Sequence, residues 1–383
     1  MLIEPTIKII SVTDKKVTFV IFNEHDSENL IVIQNLFQNE KKNCVTRSNE
    51  QFTICDLEPE TIYKLKIKIT ISNNEWSKTD KSIIFTTKQC FEKILNNFID
   101  RNCLSNKRIK YIEEIICDLK DNLETNMKFF QENSYELVSF GSFVNGFAFN
   151  DCDVDLTILT ENLGKYQNVD HFLATIIKQV IIPCHPKIVK KYFMIGEKKT
   201  KVPLIKFDYM SVKIDLTLNR YDGINNTNFY KKCSKVKDIR NLGLLFKSLI
   251  KECCIKSTKQ LNSYSIILMT LYYLQNTNQL QIDANKNNIV YLSDIPLVEN
   301  FINLLDFYYN FEYDTEIIDI NGPRVKQDEI VIHVADPFEN INVSKNVDKF
   351  LLLNIKECLI SAKNFLEGET CHHSDVEKWF MSM

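Results

Sequence analysis

Residues 141–159 read GSFVNGFAFNDCDVDLTIL, a glycine-serine turn followed by an alternating strand that carries two aspartates. Side chains two residues apart on a strand point to the same face, so Asp153 and Asp155 are predicted to project together. Val154 and Leu156, on the other face, are expected in the core. Two carboxylates about 4 Å apart repel by roughly 4 kcal/mol at an effective dielectric of 20, a cost that a cation between them relieves. Oxygen ligands of this kind suit Mg²⁺ or Mn²⁺.

A third aspartate lies on a second alternating segment, VKIDLTL at residues 212–218. Its apolar residues occupy one face and Asp215 the other, so this strand could lie beside the first pair. A D-x-D pair alone is a weak signal, since it more often marks a solvated strand edge or turn. Phosphoryl transfer by two metal ions needs several carboxylates, of which at least one bridges both ions. The predicted catalytic and metal-binding residues are Asp153, Asp155 and Asp215.

Strand and helix patterns divide the chain into three predicted parts. Period-two strands come first: TIKIISV, KKVTFVIF, QFTICDL, TIYKLKIKITI and KSIIFTT. Apolar residues then follow helical spacing over 91–99 and 112–123, before strands return at YELVSF, VDLTIL, VPLIKFDY and VKIDLTL. A long helical region begins near Asn228. The prediction is an N-terminal β-sandwich over 1–87, an α+β catalytic domain over 88–220, and a mostly helical nucleotide-recognition domain over 221–383.

Composition limits where such a protein could act. The 383 residues include 47 Lys and Arg against 50 Asp and Glu, a net charge of −3. A general basic coat for nucleic acid is therefore absent from the sequence, and contact with RNA would need local patches. The 12 cysteines are scattered and indicate reduced thiols inside a cell, and no apolar run approaches the roughly 18 residues that span a bilayer. We expect a cytoplasmic or nuclear protein without a membrane segment.

With these residues in place, the chain resembles the DNA polymerase β superfamily of nucleotidyltransferases. Within it, the chain is most similar to terminal uridylyltransferases and cytoplasmic-type poly(A) polymerases. The G-S…D-x-D block and three later blocks carry the resemblance, in the order of the family, over about residues 90 to 365. The resemblance implies template-independent addition of AMP or UMP to the 3′ end of single-stranded RNA, with ATP or UTP as substrate and two Mg²⁺ or Mn²⁺ ions.

The resemblance also implies roles for residues near the aspartates. Ser142 is similar to the serine that touches the triphosphate, on a turn whose conformational freedom comes from Gly141. Asp215 is the candidate partner of the RNA 3′ hydroxyl. Asn226 and Thr227, in GINNT, resemble the pair that contacts the nucleotide sugar, although an asparagine here could simply form a turn.

Further along the chain, two helices carry implied nucleotide contacts. Lys247 and Lys251 are four residues apart on one helical face, so both ammonium groups can reach the β and γ phosphates. The alternative to a phosphate-binding role is that both lysines lie on a solvated helix face. Ser263 and Tyr264 match a helix start at which the tyrosine ring stacks on the incoming base, and the alternative for Tyr264 is a place in the core.

The last block, Asp336-Pro-Phe-Glu339, resembles a loop that borders the base. Asp336 and Glu339 are its candidate base-side or loop-bracing carboxylates. Two departures from the family pattern matter: Ala335 replaces the usual acidic residue, and a loop one residue shorter places Ile341 where uridylyltransferases often carry a histidine. Ile341 offers no hydrogen bond to uracil, which favours ATP over UTP.

A lysine-rich segment at residues 187–201 is a candidate RNA-binding surface. Tyr192 and Phe193 are interleaved with lysines, and a single strand needs cations for its phosphates and aromatic rings for its bases. The alternative is a solvated hairpin. The candidate RNA-binding lysines are Lys187, Lys190, Lys191, Lys198, Lys199 and Lys201.

The N-terminal part carries a motif of its own. Leu57, Pro59, Thr61 and Tyr63 form an L-x-P-x-T-x-Y run that resembles the tyrosine corner of fibronectin type III domains. Such a domain would recruit a protein or RNA partner, or brace the catalytic part.

Two other functions stay open beside RNA tailing. One is a nucleic-acid sensor that makes a nucleotide messenger, which the Asp336-Pro-Phe-Glu339 block disfavours. The other is a binding protein with a decayed catalytic core, which the complete set of aspartates disfavours. No motif of the sequence identifies the RNA that is tailed, the tail length or the oligomeric state, and the inference about base preference depends on Ile341 alone.

Overall fold

The structure, a computed structural model, describes residues 6–12, 16–22, 28–35, 41–58, 62–71, 75–76, 82–86, 91–161, 163, 166, 168–183, 189–196, 202–253, 260–283, 288–327, 329–339, 341–367 and 374–382. The chain forms two compact units, Met1–Asn96 with Asn364–Cys371, and Asn97–Lys363 with His372–Met383. The three-part division at residues 87 and 220 remains a prediction. Its second and third parts fall largely within the second unit.

The first unit contains short strands in two sheets. The strands are β1 Thr6–Val12, β2 Val17–Phe22, β3 Glu28–Asn35, β4 Lys41–Arg47, β5 Gln51–Ile54, β6 Ile62–Ile71, β7 Glu75–Trp76 and β8 Ser82–Thr86. One sheet has the order β1-β2-β5, and the other has the order β4-β3-β6-β7 with β8 also paired to β6. Every strand predicted from the sequence is present, and β3, β4 and the two-residue β7 are additional. Residues of both sheets share one apolar cluster: Val17, Phe19, Ile21, Ile31, Ile33, Ile54, Leu57, Tyr63 and Leu65.

Tyr63 makes the kind of bond that its motif predicts. The Glu58 backbone N–H donates to the Tyr63 hydroxyl over 2.9 Å, and the ring is buried beside Leu57 in the apolar cluster. Pro59 and Thr61 of the motif lie outside the described residues. A fibronectin type III-like sandwich therefore stays a prediction for this unit.

The second unit mixes strands and helices and ends in a helical region. Its helices are α1 Phe91–Asn102, which begins in the first unit, α2 Asn106–Asn126, α3 Lys128–Glu132, α4 Ser142–Asn145, α5 Val169–Ile176, α6 Tyr221–Cys233, α7 Lys237–Cys253, α8 Ser263–Asn276, α9 Leu297–Asn310, α10 Lys349–Glu367 and α11 Ser374–Met381. A π-helical turn, Ile177–Ile181, continues α5. The strands are β9 Glu136–Phe140, β10 Val154–Leu159, β11 Val189–Ile195, β12 Leu204–Tyr209, β13 Val212–Leu218, β14 Leu280–Asp283, β15 Asn288–Tyr291, β16 Glu316–Ile317 and β17 Arg324–Val325.

A five-stranded mixed sheet, in the order β11-β12-β13-β10-β9, forms the centre of the α+β part. β10 and β13 are parallel, and the other neighbours are antiparallel. Helices α2, α3 and α5 bury their apolar stripes in the same core as the inward side chains of β10, β12 and β13. Val154 and Leu156 are fully buried there, as the alternation of the sequence predicts.

The helical region packs around α7 and α8. α7 packs against α8, α9 and α11, and α6 packs against α4 and β9. α8 begins where the Asn262 side chain accepts the Ser265 backbone N–H over 2.7 Å, and all its residues from Ser265 to Leu274 are buried. Helix α8 is therefore a central core helix. In the part of the chain that the structure describes, no helix is both long and apolar enough to cross a membrane.

Candidate active site

Parallel pairing of β10 and β13 brings two of the aspartates side by side. Asp155 is the direct register partner of Asp215, and Asp153 precedes β10 by one residue. Neighbouring strands lie about 4.8 Å apart, so carboxylates from paired positions share one small region of the sheet surface. The alternation of each strand fixes which face its aspartate takes, and the register fixes that the two faces coincide.

Burial and neighbouring carboxylates raise the pKa of Asp155 and of Asp215. Burial, and then repulsion from Asp215 and Asp153, raises the pKa of Asp155 to about 7. Burial also raises the pKa of Asp215, although the Lys206 ammonium opposes that shift. Lys206 lies directly across from Asp215 in the β12–β13 pairing and forms an ion pair with it. The three carboxylates therefore carry more negative charge than the Lys206 ammonium neutralises.

This donor set fits a hard divalent cation in its chemistry. Three carboxylates supply oxygen ligands, and the raised pKa of Asp155 reports negative charge that a cation would stabilise. Within the described ranges, no three His, Cys, Asp or Glu side chains already surround one point as metal ligands. The Asp215 carboxylate is paired with Lys206 instead. Binding of a cation would require the carboxylates to reorient toward it.

Gly141 lies at a crowded point beside Asp155. Its φ of 73° is in the region that favours glycine, and a Cβ there would collide with Asp155 Oδ2. Its N–H donates to Thr227 Oγ1 over 2.8 Å, and that hydroxyl donates to the Gly223 carbonyl over 2.7 Å. Thr227, a buried residue of α6, thus links this helix to the turn. Ser142, the first residue of α4, faces the cleft.

The two lysines of α7 differ in environment. Lys247 is 2% exposed, and its Nζ donates to the Phe147 carbonyl over 2.6 Å. Burial, followed by repulsion from Lys251, lowers the pKa of Lys247 to about 8. Lys251, one turn further along, is exposed and lines the same cleft. Lys247 therefore contributes charge from beneath the surface, whereas Lys251 can touch a ligand.

An aromatic and acidic group of residues also lines the cleft. The Tyr264 hydroxyl donates to Asp336 Oδ2 over 2.9 Å, and the Tyr264 ring meets the Tyr230 ring edge-on at 5.2 Å. Burial and the neighbouring Asp336 carboxylate raise the pKa of Tyr264 far above its ordinary value. Tyr264 is therefore a neutral, fixed ring beside the cleft.

Asp336 organises the loop that follows it. Asp336 Oδ1 accepts the backbone N–H groups of Phe338 and Glu339 over 2.8 and 2.9 Å. Ile341 is 48% exposed at the cleft. The Asn342 side chain bonds to the backbone of residues 332, 334 and 344 and to the Ser344 hydroxyl, which holds it in the framework of the loop.

A single cleft of about 620 Å³ brings together the residues that the sequence singles out. It is lined by all of the predicted catalytic and nucleotide-binding residues: Gly141, Ser142, Asp153, Asp155, Asp215, Asn226, Thr227, Lys247, Lys251, Ser263, Tyr264, Asp336, Glu339 and Ile341.

The predicted RNA-binding segment is described only in part. Lys187, Lys198, Lys199 and Lys201 lie outside the described residues, and Lys190 and Lys191 are described only as backbone of β11. Tyr192 and Phe193 are exposed, at 45% and 53%. An RNA-binding role for this segment stays a prediction.

Sequence reasoning missed several residues of the cleft. Lys213 lies 4.0 Å from Asp153, and Arg220 pairs with Asp222, whose pKa it lowers through a hydrogen bond. Lys206, which pairs with Asp215, was missed as well. The short connection between β12 and β13 could have predicted this contact, because a two-residue turn places Lys206 opposite Asp215.

The five-stranded mixed sheet with its attached helical region is similar in fold to solved structures of nucleotide polymerases. The solved structure of the Cid1 poly(U) polymerase with bound MgGTP has this fold, with a TM-score of 0.61 and 21% identity, over 76% of this chain and 98% of that one. The crystal structure of mtPAP in complex with UTP matches with a TM-score of 0.61 and 15% identity, over 76% of this chain and 71% of that one.

Sequence comparisons lead to the same group of proteins. Residues 91–235 match the family model for the central palm domain of poly(A) RNA polymerase, mitochondrial-like. Poly(A) RNA polymerase GLD2 of Danio rerio is 26% identical over 265 residues, which are 59% of this chain and 53% of the relative. Terminal uridylyltransferase 4 of Homo sapiens is 29% identical over 158 residues, 39% of this chain and 9% of the relative. The chain spans about half the length of the GLD2 relatives, and the resemblance to poly(A) and poly(U) polymerases is confirmed for the palm.

Proposed function

We propose that this protein adds ribonucleotides to the 3′ end of RNA without a template. The observation that carries the proposal is the single cleft that joins three clustered aspartates, two lysines and a fixed tyrosine ring. These groups are suited to the reacting phosphate, the triphosphate and the base, respectively. Poly(A) and terminal uridylyl transferases among its relatives catalyse the two forms of this reaction that we consider.

The aspartates and lysines divide the work at the phosphates. Asp153, Asp155 and Asp215 would hold two Mg²⁺ or Mn²⁺ ions, which when bound lower the pKa of the RNA 3′ hydroxyl and neutralise the leaving pyrophosphate. Asp215 is the candidate partner of that hydroxyl. Lys251 contacts the terminal phosphates, and buried Lys247 adds positive charge behind them.

The nucleoside is held by the cleft residues around Tyr264. Tyr264 stacks on the base, because its hydroxyl is anchored by Asp336 and its ring is oriented by Tyr230. Asn226 reaches the sugar from α6, and Thr227 acts one step behind it by holding Gly141. Glu339 and Ile341 border the base.

ATP is the preferred substrate in this proposal. Ile341 presents an apolar side chain at the base, and Asn342 is engaged in bonds to the loop backbone, so neither offers a hydrogen bond to uracil. A site without such a bond cannot select uracil strongly, because selection relies on leaving polar partners unpaired with the wrong base. Terminal uridylyltransferase activity is the alternative.

Gel extension assays test the activity. Purified protein is incubated with labelled single-stranded RNA, Mg²⁺ or Mn²⁺, and each nucleoside triphosphate separately. Extension with ATP exceeding extension with UTP is expected. Soluble nucleotide products formed without RNA extension would instead indicate a messenger-producing enzyme, and absence of both products would indicate a binding protein.

Substitution at Ile341 tests the base assignment. We expect Ile341→His to shift the ATP to UTP ratio of kcat/KM toward UTP by about tenfold, equivalent to roughly 1.4 kcal/mol. Ile341→Leu, which adds no hydrogen bond, should leave the ratio unchanged. A wild-type enzyme that uses UTP well and ATP poorly would show that position 341 does not decide the base.

For the first unit, we propose a fibronectin type III-like sandwich that recruits a partner or braces the catalytic part. Its support is the Glu58 to Tyr63 bond and the apolar cluster that both sheets share.

A further inference from the structure

A second groove, of about 530 Å³, adjoins α6 and the loop after Asp336. It is lined by cationic and amide side chains around one aromatic ring. We call it the lysine groove, and its residues are Asn225, Asn228, Lys231, Lys232, Lys235 and Phe338. The predicted RNA-binding segment at 187–201 includes none of them.

The lysine groove and the cleft share two walls. Helix α6 turns through 100° per residue, so Asn226 and Tyr230, which line the cleft, fall on the opposite side of α6 from Asn228 and Lys232. The loop is shared in the same way, since Phe338 lines the groove and its neighbour Glu339 lines the cleft. The two openings therefore meet at adjacent residues of this loop.

The polar side chains of the groove are available to a ligand. Lys231, Lys232 and Lys235 are exposed, and within the described ranges no acidic group pairs with any of them. Asn225 and Asn228 are exposed too, and their amides have no hydrogen-bond partner among the described residues. Lysines in the last turn of a helix also stabilise its dipole, which alone would account for Lys231 and Lys232.

The helix dipole does not account for the exposed ring in the same groove. Phe338 is 43% exposed, although one edge is fixed against the buried Phe229 ring at 5.5 Å and 79°. Its backbone N–H is held by Asp336 over 2.8 Å. Phe338 is thus a positioned aromatic surface beside three free cations.

We propose that the lysine groove binds single-stranded RNA just upstream of the 3′ end that occupies the cleft. The lysines bind successive phosphates and Phe338 stacks on one base. This inference rests on the proposed function for the position of the 3′ end. Stacking and phosphate contacts carry little sequence information, so the groove would accept many RNA sequences. An acidic protein surface would use the lysines but would leave the ring and its place beside the cleft unexplained.

Direct binding without nucleotide tests the groove. We would measure Kd by fluorescence anisotropy for a single-stranded RNA of about 20 nucleotides, longer than the ~4–16 that one binding module covers. Lys231, Lys232 and Lys235 all changed to Ala should raise Kd about tenfold near 0.1 M salt. The slope of log Kd against log salt should fall by about 2, since each lost phosphate contact on a single strand contributes about 0.7. Phe338→Ala should raise Kd about tenfold, and Phe338→Trp should not.

A matched control changes three exposed lysines elsewhere, Lys107, Lys110 and Lys349, to Ala. It alters net charge equally and should leave Kd within about twofold, an affinity change too small to reflect lost phosphate contacts. Thermal unfolding of each variant checks that the fold is intact, and Phe338→Leu keeps packing against Phe229 while removing the aromatic face.

The two proposals fail in different ways. If groove variants and wild type bind RNA equally while wild type extends it, the groove assignment is overturned and the function stands, even if the lysines bind an acidic protein. If wild type binds RNA through the groove but does not extend it with any of the four nucleotides, only the proposed function fails. In an active enzyme, groove variants should raise KM for RNA and leave kcat and KM for the nucleotide at saturating RNA unchanged.

Discussion

Burial and two neighbouring carboxylates set the protonation of Asp155. Its pKa of about 7 lies far above the ordinary 3.8 of an aspartate. Between these two values the folded state binds a proton that the unfolded chain has released. Stability contributed by this group is therefore complete below pH 4 and is lost as pH rises toward 7.

Asp155→Asn tests both the chemistry and this linkage. We expect no RNA extension, because the proposed metal site loses one of its ligands. With a chelator present, the free energy of unfolding of wild type, measured in urea, should fall by a few kcal/mol between pH 4 and 7 because of this group. The variant should not show that fall. Asp314→Asn, an exposed change of equal charge, should keep it. Extension near the wild-type rate would refute the metal assignment.

Lys247 should impose a second pH dependence, on nucleotide use. Its pKa of about 8 means that the free enzyme loses this charge above that pH. We expect kcat/KM for the nucleotide to fall by about tenfold per pH unit above 8, since this parameter reports groups of the free enzyme. Lys247→Met should be slower and lack this fall.

Lys251→Met is the matched comparison for Lys247. It should lower kcat/KM but retain the alkaline fall, displaced to higher pH, because repulsion between the two ammonium groups is removed. An identical alkaline fall in Lys247→Met and wild type would assign the ionisation to another group.

Among the elements, α6 and the glycine-serine turn are joined by one hydroxyl. Thr227 accepts from the Gly141 N–H and donates to the Gly223 carbonyl. Because the turn lies against Asp155, this hydroxyl holds a segment next to the proposed metal ligands as well as satisfying a backbone group.

Thr227→Val tests that brace while keeping the shape of the side chain. We expect a loss of about 1–3 kcal/mol in the free energy of unfolding, because a backbone N–H loses its partner, and a lower kcat because the turn shifts. Thr227→Ser should be near wild type in urea titrations and extension assays. Asn226→Ala should raise KM for the nucleotide without reducing stability. Unchanged stability in Thr227→Val would show that the turn is held by other contacts.

At the scale of the whole molecule, the described residues that line the cleft all belong to the second unit. A chain that begins at Lys88 should therefore fold and extend RNA, as circular dichroism and gel assays would show. The same shortened chain with Asp155→Asn should be folded and inactive. A shortened wild-type chain that is folded but inactive would make the N-terminal strands part of the active unit.

Local spacing in the sequence was enough to predict the faces of the central strands and helices. Alternation in VDLTIL and VKIDLTL predicted buried Val154 and Leu156 and placed Asp155 and Asp215 on the opposite face from the core. These predictions succeed because the period of a strand or helix converts spacing into direction. Strand β4 was missed because its sequence, KKNCVTR, hides the alternation among polar residues.

Partners that are distant in sequence were decided by the tertiary structure. Thr227 and Gly141 are 86 residues apart, and Lys247 and the Phe147 carbonyl are 100 apart, so no local pattern relates them. Lys206 reaches Asp215 through a two-residue turn in which Met210 and Ser211 both have positive φ, at 47° and 64°. Turns of that kind usually carry Asn or Gly, so the residue types at 210 and 211 did not predict a tight turn. Motifs and spacing in the sequence identified the candidate side chains for the chemistry. Packing decided which of them are free, because burial and pairing depend on neighbours that only the folded chain brings together.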